Sequence, residues 1–378
     1  MTTTQNRPTV QHNLDPAELL NTPLSGGELT TDVLWMIVLT VGLLGSHCEG
    51  TISCKNETNG DVDWFILYKK PGGFDYVYID STDQNLKKNN KPVNNQAGVL
   101  ANTLKPYFEK SPDSAFIAYN DQMPSCNALQ QYGHSKGVVM MDKDNVVWLL
   151  HSTPKFPEGD ESNNFYPESG KRYAQIFMCV TLPSDKSAQI AQHLKDINAH
   201  IFKKHNPEKL LKKDSSNIKR TLPYHEDLLS SGGLKFTRFV KQISKKRDPE
   251  GDLYVTIADT LQTNLSIQTW RSDPEESGKR PLFKTGEKNE LVTIMSVKTD
   301  AGEWSHKCDH SKWCVSDIQN WMCVGDSNRE PSHFNDVFAA LVYDRLALLS
   351  IRSSMMPHDV SSPSSISWIL VRRFQWPL

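Results

Sequence analysis

The sequence predicts a two-lobed α/β (α+β) molecule, each lobe a mixed sheet flanked by helices, and three observations carry that reading. A chain of 378 residues with 38 % hydrophobic positions has room for two average domains and can bury a sizeable core. Short strand-like apolar runs alternate with segments of helical spacing along most of it. One arrangement occurs in both halves: a His-Ser-Lys triplet, then a turn, then a Trp-containing strand and a second polar element.

Taken in order, residues 1–32 form a polar leader rich in Thr, Asn and Pro, without a fold pattern. Val33–Leu44 is a twelve-residue apolar run, too short to span a bilayer comfortably, and the small Gly45-Ser46 follow it. Residues 33–46 therefore match a signal-peptide core and cleavage region, with a buried core helix as the plainer alternative. The leader is overlong and acidic for that purpose, so either the true start lies nearer Thr31 or the segment is an atypical anchor. Stable membrane insertion is not expected.

Residues 47–202 read as the first lobe. Asp63–Lys69 and Asp75–Asp80 alternate as strands around Pro71-Gly72-Gly73, and Asp83–Gln96 is a polar surface loop. Ala97–Lys110 carries Val99, Leu100, Leu104 and Phe108 at helical spacing, and Ala115–Tyr119 is a short strand. His134-Ser135-Lys136 comes next, with the apolar run Gly137–Met141, the turn Asp142–Asn145, the strand Val146–Leu150 and then His151-Ser152. In extended chain, residues i and i+2 share a face, so His134 and Lys136 project together as an imidazole beside a fixed positive charge. Such a pair suits an anionic ligand. Tyr173–Thr181 reads as a strand. Asp185–Phe202 reads as a helix whose Ile190, Leu194, Ile197 and Ile201 form the apolar stripe. His193 and Lys195 on it repeat the His-x-Lys pattern but read as a solvated helix face.

Residues 203–220 are a basic linker containing Lys203, Lys204, Lys209, Lys212, Lys213, Lys219 and Arg220. A second basic run holds Lys235, Arg238, Lys241, Lys245, Lys246 and Arg247. They line a phosphate-binding groove or are simply solvated; the two readings are equally good. The second lobe, 221–329, has strand-like Leu253–Ala258, Asn264–Trp270 and Glu290–Ser296, and then His310-Ser311-Lys312. Trp321–Val324 reads as a buried strand, and Gly325-Asp326-Ser327-Asn328 as a loop able to return Asn328 to the pair. His151 follows His134 by 17 positions and Asn328 follows His310 by 18. Trp148 and Trp321 read as core rather than as platforms for bases. Residues 330–378 are an atypical C-terminal tail, with helix-like Val337–Leu349 and a Ser-rich end.

The segments GHSKGVVMMD, WLLHSTPKFP, DHSKWCV and CVGDSN resemble deoxyribonuclease II, the acid endonuclease of lysosomes, whose lobes belong to the phospholipase D superfamily. The resemblance also covers Val62–Lys69, Tyr119-Asn120-Asp121-Gln122 and Gly251-Asp252-Leu253-Tyr254 through Leu265, and runs from about Cys54 to about Arg329. It implies a phospholipase D-like pseudodimer and an acid enzyme, independent of divalent metal and without a cofactor, that cuts DNA and leaves 3′-phosphate ends. It also implies a Cys54–Cys179 disulfide. The rest of the seven-cysteine connectivity stays open, and the odd count leaves one thiol over. Family members continue past Arg329 with a glycine-rich stretch and further cysteines, which this chain lacks. A missing last strand would leave an exposed edge and an unpaired Cys323, and an inactive or nucleic-acid-binding relative is the alternative reading.

Disulfide-forming cysteines and a signal core point to the secretory pathway, and hence to the lysosome or secretion. Asn56-Glu57-Thr58 and Asn264-Leu265-Ser266 are glycosylation acceptors there. A net charge of −2 says nothing about a polyanionic partner, so any DNA site must be a local patch. Oligomeric state is not legible. A metal centre of His306, Cys308, His310 and Cys314 is the rival chemistry, but it has no counterpart near His134.

Phosphodiester hydrolysis needs a nucleophile, an acid for the leaving oxygen and positive charge for the developing phosphorane. Lys136, Lys312 and Asn328 can hold the phosphate oxygens by preorganised electrostatics. One neutral histidine attacks and one protonated histidine donates its proton, with His134 assigned as nucleophile and His310 as acid and base. His151 and Ser152 are candidates for positioning phosphate. Asp142 and Asp317 follow the two histidines near the spacing of the superfamily's aspartate.

Overall fold

The computed structural model describes residues 51–126, 131–211, 222–241, 251–270, 289–316, 321–329 and 338–344. In the first half, β1 (Cys54–Lys55) and β2 (Asp61–Val62) precede β3 (Trp64–Lys69), β4 (Tyr76–Asp80) and β5 (Lys87–Lys88). Helices α1 (Val99–Thr103) and α2 (Lys105–Glu109) lead to β6 (Ala115–Asn120), β7 (Lys136–Met141), β8 (Asn145–His151) and β9 (Gln175–Pro183). Then come α3 (Ser187–Asp196), β10 (Ile201–His205) and α4 (Pro207–Leu210). The second half holds β11 (Tyr224–Leu229), β12 (Lys235–Val240), α5 (Leu253–Leu261), β13 (Leu265–Gln268) and β14 (Leu291–Thr293). It continues with β15 (Ser296–Thr299), β16 (Gly302–Ser305), β17 (Trp313–Ser316), β18 (Trp321–Gly325) and β19 (Ala339–Asp344).

The fold is mixed α/β. An eight-stranded sheet has the order β10-β6-β7-β8-β9-β3-β4-β5, and a seven-stranded sheet the order β11-β12-β19-β18-β17-β13-β14. The first is antiparallel at every pairing, and the second is mixed through the parallel pair β13–β14. The runs β6-β7-β8-β9 and β13-β17-β18-β19 are the same antiparallel meander, and a His-Ser-Lys triplet stands at the head of its second strand in both. Trp64, Trp148 and Met178 of the first sheet share one core with Phe236, Trp313, Met322 and Tyr343 of the second. The other face of the first sheet is covered with Val99, Leu100 and Leu104, and that of the second with Leu253 and Ile257 of α5. Strands buried on both faces become continuous apolar runs, which is why Trp64–Lys69 and Lys136–Met141 are buried throughout.

Several expectations change. Leu253–Ala258, read as a strand from its β-branched residues, begins α5. The Asp252 carboxylate accepts from the Tyr254 N–H at 3.0 Å, and this N-cap outweighs a weak strand propensity. Within Val337–Leu349, read as a helix, Ala339–Asp344 is β19, hydrogen-bonded between β12 and β18. The edge that a missing last strand would expose is therefore filled, and Cys323 is bonded to Cys314 with their Cα atoms 5.0 Å apart. Ala97–Lys110 is two short helices rather than one, with Pro106 in the first turn of α2.

The helix read over Asp185–Phe202 ends at Asp196, because Asn198 takes the left-handed conformation at φ 48° and turns the chain into β10. Lys203 and Lys204 thus belong to an edge strand of the first sheet, not to a linker, and Leu210 is buried in its core. His193 is 1 % exposed, packed edge-on against Trp148 at 4.8 Å, and is no solvated face. Two cations read as part of a phosphate stripe are also internal. Arg238 donates from Nε to Glu226 at 2.9 Å, and buried Lys241 lies over the Phe338 ring at 5.2 Å. Lys212, Lys213, Lys219, Arg220, Lys245, Lys246, Arg247, the remaining tail and the Val33–Leu44 run lie outside the described residues.

The Cys54–Cys179 disulfide is present, joining β1 to β9 with a Cα separation of 5.9 Å. Cys126 and Cys308 are free and exposed among the described residues. No helix among those residues is long and apolar enough to cross a membrane.

Candidate active site

Asp121 lies just past the end of β6, beside the head of β7, and is 3 % exposed. Its Oδ2 is 2.7 Å from His134 Nδ1, and its Oδ1 accepts from Lys136 Nζ. An ionised carboxylate can only accept, so Nδ1 carries the imidazole proton and Nε2 the lone pair. Burial pushes the Asp121 carboxyl up, but the Lys136 charge and the His134 hydrogen bond hold it well below the usual carboxylate range. Burial and then Lys136 push His134 down to about 3, against the opposing pull of Asp121.

Every residue of the Tyr119–Gln122 segment has a part. Tyr119 accepts the Trp148 indole N–H at 3.0 Å, and the Asn120 amide donates to Phe156 O at 3.1 Å, seating the loop after β8. Gln122 donates its backbone N–H to Asn120 Oδ1 at 2.9 Å. Gly137 must be glycine, since a Cβ there would stand 2.4 Å from the Tyr119 hydroxyl and 2.8 Å from Leu149 O.

The second triplet is held differently. Asp309 is fully buried and accepts from Tyr68 OH, from Trp304 Nε1 at 2.8 Å, and from the Ser311 backbone and hydroxyl at 2.8 and 2.6 Å. Burial raises its carboxyl above the ordinary value. The His310 N–H donates to Ala174 O at 3.0 Å and the Ala174 N–H to Cys308 O at 2.8 Å, so first-lobe backbone seats the second histidine. The His310 ring stacks on Tyr173 at 4.0 Å and meets Trp270 edge-on at 4.1 Å. Burial and Lys312 push it down to about 3, and Lys136, His134 and Arg172 add to the effect. Lys312 Nζ donates to His310 O at 2.7 Å; burial and then Lys136 push it down to about 7. The two triplets thus sit close enough for each to act on the other's charges.

Asn328 is buried, and among the described residues neither its amide oxygen nor Ser135 Oγ has a hydrogen-bond partner. The loop carrying Asn328 is fixed from α5: Tyr254 OH donates to Ser327 O at 2.9 Å and Arg329 Nε to Asp252 Oδ2 at 2.7 Å. That is the role of the Gly-Asp-Leu-Tyr segment. Asp326 bonds the Ala339 N–H at 2.8 Å, and burial pushes it up to about 8 against the pull of Lys136 and Lys312. His151 is packed between Phe156 at 4.8 Å and Phe177 at 5.6 Å, and burial and then Lys136 hold it well below its ordinary value. The Ser152 hydroxyl is spent on Gln175 Oε1 at 2.6 Å and on the Ile176 N–H at 3.0 Å.

Asp142 is a turn residue at the far end of β7, accepting the Asn145 N–H at 2.7 Å, and Asp317 lies outside the described residues. The proposed metal ligands do not converge, because Cys314 is in a disulfide, His306 Nδ1 bonds Met295 O at 2.9 Å and His310 is stacked. Among the described residues no group of three or more His, Cys, Asp or Glu side chains has metal-site geometry. Asp121, Asp309 and Asp326 are residues beside the triplets to which sequence reasoning gave no role, Asp121 having been named only within the Tyr119–Gln122 segment of the resemblance. Both acceptor asparagines use their amide oxygens locally, Asn56 toward Gly60 N at 2.8 Å and Asn264 toward Glu290 N at 2.7 Å.

Two His-Ser-Lys triplets thus stand at the heads of equivalent strands in the twin meanders of an α/β scaffold, near enough for their charges to act on one another. The sequence pattern of the family described as Deoxyribonuclease II matches residues 53–336. Deoxyribonuclease-2-beta of Mus musculus is 34% identical over 317 residues, covering 76% of this chain and 85% of its own. The Homo sapiens protein of that name is 31% identical over 324 residues (78% and 87%), and Plancitoxin-1 of Acanthaster planci 30% over 328 (79% and 88%). The chain belongs to the deoxyribonuclease II family, a family of DNA-cleaving hydrolases.

Proposed function

We propose that the protein hydrolyses DNA phosphodiester bonds at acid pH without a divalent metal, through a phosphohistidine, leaving 3′-phosphate ends. The observation that carries the reading is the mutual electrostatic contact of His134, Lys136, His310 and Lys312, contributed by two lobes. His134 Nε2 attacks phosphorus while the P–O5′ bond breaks, and the His310 imidazolium gives its proton to the departing O5′. Neutral His310 then takes a proton from water, which attacks phosphorus; the P–N bond breaks and its electron pair returns to Nε2. The product keeps phosphate on the 3′ end, and His310 is again the acid. Lys136, Lys312 and Asn328 hold the phosphate oxygens, where preorganised charge acts on the transition state.

The chemistry favours acid for a stated reason. His310 is held low in the free site by burial and cations, and the negative diester is the opposite charge that raises it again. Supercoiled DNA incubated with excess chelator at several pH values tests the proposal: nicking below neutral pH, lost in His134→Ala and in His310→Ala, is expected. Cleavage stopped by chelator, or retained by either variant, would sink it. We also place the protein in the lysosome or outside the cell. A mature chain beginning shortly after Leu44 and carrying sugar on Asn56 or Asn264, seen by gel shift and terminal sequencing, is the matching result.

A further inference from the structure

The two halves of the site repeat the meander and the triplet, but not the support of the histidine. In the first sheet Asn120 pairs with Lys136, so Asp121 stands opposite Ser135 and reaches His134. In the second sheet Gln268 pairs with Trp313, and continuing that register by two residues sets Trp270 opposite Ser311. Trp270 therefore occupies the place of Asp121. Its ring meets His310 edge-on at 4.1 Å, and Tyr173 lies flat on His310 at 4.0 Å with only 8° between the planes. Tyr173 and Trp270 also touch each other edge-on at 5.1 Å, and the Arg172 guanidinium lies 5.0 Å from the Tyr173 ring centre. No side-chain hydrogen bond to the His310 ring exists among the described residues.

We propose that Tyr173 and Trp270 together form an aromatic clamp that positions His310, and that the stacked Tyr173 face favours its imidazolium form. The inference rests on the reading of His310 as the acid. A carboxylate bound to a histidine fixes one tautomer, which serves a nucleophile. An aromatic face fixes only the ring plane and attracts the cation through its quadrupole, which serves a group that must gain and lose a proton. The charged and titratable groups that act on His310 are Lys312 from its own segment, Lys136 and His134 from the head of β7, and Arg172 before β9. Burial and all four of these groups disfavour the imidazolium, and the Tyr173 face works against them.

The test compares full-length Tyr173→Phe, Tyr173→Leu and Trp270→Leu with the parent, following kcat, KM and the pH profile at fixed salt. Tyr173→Phe keeps the face and should retain the parent kcat and profile. Tyr173→Leu should lose ~10- to 100-fold in kcat, as expected when a reacting group is misplaced by about an ångström. Its KM should be little changed, and the alkaline limb of its profile, where His310 loses its proton, should move to lower pH. Trp270→Leu, which removes an edge contact, should lower kcat in the same way by less, and it stands as the second probe of positioning if Tyr173→Leu does not fold. A parent-like kcat and profile in the leucine variants overturns the clamp while leaving the two-histidine reading intact. Activity in His310→Ala fails the reading itself, and the clamp with it.

Discussion

Asp121 is worth more to His134 than a neighbouring charge, because it selects which nitrogen keeps its lone pair. Asp121→Asn retains size but presents an amide that can donate to Nδ1 and leave the proton on Nε2. It should lower kcat by ~10² to 10⁴, the range seen when an orienting carboxylate is lost, with KM changed far less. Steady-state kinetics at the acid optimum would check this, and an unaltered kcat would count against the assigned tautomer. Lys312→Ala should leave turnover reduced by ~10² to 10³, the loss of one preorganised donor. The triplets themselves were legible because His-x-Lys in a strand context is a local pattern. Asp121 was not assigned a role because its value lies in a cross-strand register, which one-dimensional spacing does not display. His193 misled for the same reason: helical spacing places it near the stripe edge, and only packing against Trp148 shows that it is core.

At the level of elements, the apolar runs that became β3, β7, β8 and β18 were readable from composition and length. β19 and α5 were not, since Phe338-Ala339-Ala340-Leu341-Val342 has no alternation when both faces are buried, and one capping carboxylate decided the fate of Leu253–Leu261. Asp252 caps that helix and bonds Arg329, both groups buried, so Asp252→Ala removes two supports at once. A destabilisation of about 3–5 kcal/mol is expected from stranding the arginine, measured by denaturant unfolding at acid pH. Any folded fraction should turn over more slowly, because the loop that carries Asn328 has lost its tether. A variant as stable as the parent would show that Arg329 finds another partner.

For the molecule as a whole, the charged groups of the site titrate in one functional direction. As pH falls, Asp326, pushed up to about 8, loses its charge first, and Lys312, pushed down to about 7, then gains its own. Both changes make the site more positive in acid, so KM for DNA should fall from pH 8 to pH 5. Lys312→Arg, whose guanidinium stays charged, should carry part of the tight binding into neutral pH; an unchanged pH dependence of KM would refute this account. Asp121 behaves in the opposite sense to Asp326. With its folded value depressed, its contribution to stability is present above the unfolded value of about 3.9 and is lost only as pH falls through the lower folded value, so the site stays assembled at pH 5. The backbone pairing of Ala174 with Asp309 and His310 adds a temporal consequence. During synthesis the first lobe emerges with Asp121, His134 and Lys136 already encoded, yet the second histidine is seated only when the later half docks on the strip beside Tyr173. On the two-histidine reading, cutting power is thus the last property that the growing chain acquires.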